Sequence, residues 1–150
     1  MTGPIDDEVP IGRDSGRVSL FLAVALIGVL AIIGLSYDGA GQLRSMQRAD
    51  NLAAEAARAG GQAIDLDQLL VDGTTVLDPA AAQTAVDNYL ASVDGVRLTE
   101  VRFEAVGDNA ALTVSLELDY DTVFLDLFGF ADNITVPGTA TATLLTTTNR

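Results

Sequence analysis

The chain has 150 residues, and 21 acids against 8 bases give it a formal net charge of -13, with no cysteine, histidine or tryptophan. Every base is an arginine. This composition excludes disulfides, thiolate metal sites and any catalysis built on Cys–His or Ser–His–Asp, and it lacks the clustered cations that binding to nucleic acid needs.

The first segment, residues 1 to 16, is acidic, carries Pro4 and Pro10 and shows no apolar periodicity. It is expected to be a disordered tail. Residues 17–36 follow as a candidate transmembrane helix. Val18 to Leu35 is uncharged, and Ser19, Gly28 and Gly34 are its only breaks. At about 1.5 Å per residue the run is roughly 27 Å long, close to the thickness of a hydrocarbon core. A cleaved signal has a shorter apolar region, and the remaining chain is too small to bury such a helix, so a membrane anchor is the expectation. Arg13 and Arg17 precede the run and Arg44 and Arg48 follow it. Arginine counts therefore leave the orientation open.

No proline interrupts the text after the run, although Asp38, Gly39 and Gly41 weaken the helix locally. Over residues 37–60, Leu43, Met46, Ala49, Leu52, Ala53, Ala56 and Ala57 recur at helical spacing, and Gly60-Gly61 supplies a stop. One helix from about Val18 to Ala59 is predicted, roughly 60 Å long. Its second half is expected to lay the stripe after Met46 on the chain's own sheet, against Val114, Leu116 and Ala140.

Residues 61–150 read as an α+β domain. Asp78-Pro79 is a helix N-cap followed by proline at the first helical position, and Ala82, Ala85, Val86, Tyr89, Leu90 and Val93 form that helix's apolar face. Asp94-Gly95 ends it. A strand is predicted over Val96 to Ala105, with Val101, Phe103 and Ala105 on one face. After a turn at Gly107-Asp108-Asn109, Leu112, Val114, Leu116, Leu118 and Tyr120 alternate with polar residues in a second strand. The last strand runs from Ile134 to about Leu145, and Pro137 within it points to an edge strand or a bulge. The fold class is therefore a long N-terminal helix packed on a small antiparallel sheet of about three strands plus a short helix.

Between the last two strands lies "VFLDLFGF", Val123 to Phe130. Phe124, Leu127, Phe128 and Phe130 are expected first of all to plug the core between those strands; the other reading is an exposed patch for a partner subunit or the bilayer surface. Gly28 and Gly34 miss the GxxxG spacing and are expected to face lipid or to be neutral in packing. Asp65-Leu66-Asp67 and Asp119-Tyr120-Asp121 each offer two carboxylates, but neither has the spacing of a calcium loop. No catalytic, cofactor or metal residue is assigned.

The stretch "SGRVSLFLAVALIGVLAIIGLSYDGAGQLRSMQRADNLAAEAARAG" resembles the TadE/TadG-like family of tight-adherence (Tad/Flp) pilus assembly, and "ITVPGTATATL" is similar to that family's closing strand. The resemblance implies a pilin-like, non-enzymatic membrane protein with its N-terminus cytoplasmic and residues 61–150 outside. It implies partners among other pilus-assembly proteins or pilin subunits, with residues 18–35 in the bilayer and Leu26 and Leu30 among the contact candidates. Gly16 is the candidate peptidase-site glycine. Phe21 stands where processed members carry glutamate, so no cleavage is expected there. The alternative is a single-pass, membrane-tethered extracytoplasmic binding or adhesion module unrelated to pili.

Overall fold

The computed structural model describes residues 14–72, 76–106 and 109–144. Most of the tail expected to be disordered (1–13), the turn residues 107–108 and the chain beyond Leu144 lie outside them. Helix α1 (Asp14–Gly61) is followed by α2 (Leu66–Asp72), α3 (Pro79–Leu90), β1 (Val96–Val106), β2 (Asn109–Asp121), α4 (Phe124–Leu127) and β3 (Asn133–Leu144).

The 48 residues of α1 run without interruption, through the Asp38–Gly41 stretch as well. The most apolar 18-residue window of the helix has mean hydropathy 2.9 and only 6% of it is buried. One helix is therefore long and apolar enough to span a membrane, and that part stands bare. The second half is clothed. Ala49, Ala53, Ala56 and Ala57 are buried in one core with Val86, Leu112, Val114, Leu116 and Val136. After Met46 the helix thus lies on the sheet as expected, whereas Leu43 is 58% and Met46 40% exposed. Going back from Ala49, the covered line passes through Ser45, Gly41, Asp38 and Gly34 instead. Small side chains let helix and sheet approach closely. A Cβ at Gly138 of β3 would fall inside the Ala49 backbone, and one at Gly41 would meet the Tyr120 ring.

The sheet is antiparallel in the order β1-β2-β3. β2 is central, and its alternation puts Leu112, Val114, Leu116 and Leu118 under the helices. In β3 their partners are Ala142, Ala140, Gly138 and Val136, again small where α1 crosses. Pro137 pairs opposite Glu117 on an edge strand with no slip in register. β1 carries a bulge between Leu98 and Glu100. The extra residue, Thr99, switches the alternation, so Val96 and Leu98 share the core face with Val101. Phe103 is at the margin, 37% exposed. The opposite face is wet: Thr113 and Thr141 share a hydroxyl contact at 2.8 Å, and Arg97 pairs with Glu117 at 3.0 Å.

Helix α3 covers the rest of the core. The Asp78 side chain accepts from the amides of Ala80 at 2.9 Å and Ala81 at 3.1 Å, with Pro79 opening the helix. Asp78→Ala leaves both amides without that cap and is expected to cost about 1 kcal/mol, read as a lower urea midpoint of the detergent-solubilised protein. An unchanged midpoint would show the cap to be dispensable. The loop before it is pinned by the Ile64–Leu77 bridge, and the Asp65 carboxylate caps α2 by accepting from Asp67 and Gln68.

Candidate functional site

Among the described residues no three His, Cys, Asp or Glu side chains come together to share a metal ion. Asp65 serves its helix cap, and Asp119 accepts from Thr135 at 2.9 Å on the wet face. The distinctive geometry lies elsewhere, at the foot of the head, where α4 meets α1.

Asp38 is 2% exposed. Its Oδ1 accepts from the Val123 amide at 3.0 Å, and its Oδ2 accepts from Phe124 at 2.9 Å and Leu125 at 2.8 Å. One carboxylate on the long helix thus satisfies the orphan amides of a helix far along the chain. Burial alone would raise its pKa, but the three amide donors outweigh that and hold it below the ordinary carboxyl value. Next to it, burial first and then the Asp38 charge push the Tyr120 hydroxyl above its usual range, so the ring stays neutral.

The base of this loop is clasped as well. Thr122 is buried, its amide donates to the Asp132 carbonyl at 3.1 Å, and its hydroxyl donates to the Ala131 carbonyl. After α4 the chain turns back at Gly129, whose φ of 70° suits glycine.

The loop's apolar residues do not plug the core, which corrects the first expectation for them. Leu127 is 75%, Phe128 56% and Phe130 79% exposed. Phe124 is half-buried, with its ring over Gly34 and 4.9 Å from the Phe128 ring. The reason is steric and positional: the space between β2 and β3 is closed by their own ladder, and Asp38 draws the loop out along α1. The result is a cleft whose walls are Ile27, Ala31, Ile32 and Leu35 on α1 and Phe124, Leu125, Phe128 and Phe130 on the loop. A second apolar hollow lies between Leu30, Ile33 and Tyr37 on one side and Val123 and Phe124 on the other.

No family model, curated protein or solved structure matches the chain.

Of the residues singled out from sequence, Leu30 lines this foot, whereas Leu26 is exposed on the bare helix. Gly16 sits in the third position of α1 with open space around it. Sequence reasoning overlooked Asp38 and Gly34. An acid three residues past the apolar run, on a helix that continues through it, was the available signal. Gly34 is buried under Phe124, against the expectation that it faces lipid or is neutral. Gly34→Ala is expected to lift the Phe124 ring and speed amide exchange across residues 123–125. Gly28→Ala, with nothing near it, should leave those amides unchanged. Equal exchange in both variants would sink this assignment.

Proposed function

We propose that this is a single-pass, membrane-anchored, non-enzymatic component of a Tad-type pilus assembly, a minor pilin-like or pseudopilin-like subunit. The observation that carries this reading is the division of α1: a bare apolar first half and a second half laid along a three-stranded antiparallel sheet. That arrangement suits a subunit held in a bilayer until its helix packs with those of neighbours. The family resemblance of residues 15–60 adds the orientation, with the tail inside and the head outside. Partners are then pilin subunits or membrane proteins of the assembly machine, met through Leu26, Leu30 and the rest of the bare helix.

Two experiments test this. Cysteine at Thr99, on an exposed bulge of β1, should react with an impermeant thiol reagent on intact cells, whereas cysteine at Thr2 should not. The reverse pattern overturns the topology. Affinity purification of the detergent-solubilised protein should bring down assembly subunits. Recovery of partners unrelated to pili would favour a tethered binding or adhesion module instead.

A further inference from the structure

The geometry points to the α4 loop as a second membrane-seated element: its aromatic tip enters the leaflet on the head's side, alongside the protein's own span. This rests on the reading of α1 as a membrane span and goes beyond it, because an isolated span would leave the head free on its stalk. The loop's apolar side chains are continuous with the apolar face of the span. The cleft that they form with the span extends from Leu35 to Ile27, eight residues or about 12 Å along the axis. If Val18 to Leu35 occupies the hydrocarbon, Phe128 and Phe130 lie beside it and not above it.

The chemistry of the loop agrees with that depth. The amides of Val123, Phe124 and Leu125 are satisfied by Asp38, that of Leu127 by the Val123 carbonyl, and those of Gly129 and Phe130 by the Asp126 and Leu125 carbonyls, so these six amides need no water when the loop meets lipid. Asp126 is the one ionisable side chain between Val123 and Ala131, and it is exposed. It limits the seating to the boundary of headgroups and acyl chains, the depth usual for interfacial elements. Tyr37, exposed just past the apolar run, sits where interfacial aromatics gather. The occupant of the cleft is therefore acyl chain, and the head is fixed in tilt against the bilayer at two points.

The chain has no cysteine, so single cysteines can be labelled with an environment-sensitive fluorophore. The full-length protein, labelled at Phe128→Cys, Phe130→Cys, Leu26→Cys or Thr99→Cys, is reconstituted in phosphatidylcholine vesicles. Their chains are brominated near the carbonyl end or near the methyl end. Labels at 128 and 130 should emit to the blue and be quenched more strongly by the shallow bromines. The label at 26 should be quenched more strongly by the deep bromines, and that at 99 by neither. Quenching at 26 with none at 128 and 130 overturns the inference and leaves the span in place; if those labels are also shielded from aqueous iodide, a second copy of the chain fills the cleft. Absence of quenching at 26 overturns the span, and the inference with it.

Discussion

Ala53→Asp is expected to unfold the head. Ala53 is wholly buried in the core that α1 shares with Val114 and Leu116. At this position, unlike at Asp38, an aspartate adds both volume and a carboxyl with no donor. A buried unpaired charge costs on the order of 4 kcal/mol, a large share of the stability of a small domain. Leu52→Asp should cost less, because Leu52 is half-buried at the edge of the core, and Asn51→Asp, on the exposed side, should stay within about 0.5 kcal/mol. Urea unfolding of the full-length protein in detergent, followed by tyrosine fluorescence, gives the order. A midpoint for Ala53→Asp equal to that for Asn51→Asp would mean that α1 does not lie on the sheet. Gly138→Ala probes the same contact from the strand: its Cβ would enter the Ala49 backbone, and overpacking of that kind costs about 2 kcal/mol.

The length of α1 could be read from sequence because two things agreed: an uncharged run and strong helix formers with no proline between them. Its covered line ahead of Ala49 could not. Leu43 and Met46 are the conspicuous apolar residues ahead of Ala49, and they carry the helical spacing just as well as Ser45 and Gly41. The sheet selects by size as much as by hydrophobicity, since Gly138 and Ala140 of β3 demand a flat neighbour. The central strand was legible from its alternation. The face of β1 was not fully so, because a single extra residue at Thr99 reverses the parity between Leu98 and Val101.

The foot of the head shows a deeper limit. Helix α3 announces itself through Asp78-Pro79, a local signal. Helix α4 has four residues, no side-chain cap of its own at Val123, and a capping carboxylate contributed by Asp38 from α1. Nothing within "VFLDLFGF" reports that partner. Composition says only that these residues shun water. It does not distinguish a core from a lipid surface, which is why burial between the strands was the natural first expectation and proved wrong.

Asp38→Ala is expected to free the α4 loop while leaving the core of the head folded. The substitution removes all three acceptor contacts at once, and the amides of Val123, Phe124 and Leu125 then have to find water or each other. Asp38→Asn should be nearly as damaging, because an amide offers one acceptor oxygen and turns its donor nitrogen toward amide donors. In the native protein the pH dependence has a definite sign. A carboxyl whose folded pKa is held below its ordinary value stabilises the fold fully above that ordinary value and loses the contribution as pH falls through the lower, folded pKa. Exchange protection at residues 123–125 should therefore hold steady from neutral pH down to about 4 and collapse only in stronger acid. In the Asp38→Asn protein protection should be low at every pH and have no such step. Hydrogen–deuterium exchange of both proteins in lipid nanodiscs, with the amides of Leu112 to Leu118 as the internal reference, separates local release from global unfolding. Loss of protection in β2 as well would make Asp38 a determinant of the whole fold. Retained protection at 123–125 would mean that lipid contact alone holds the loop against the span.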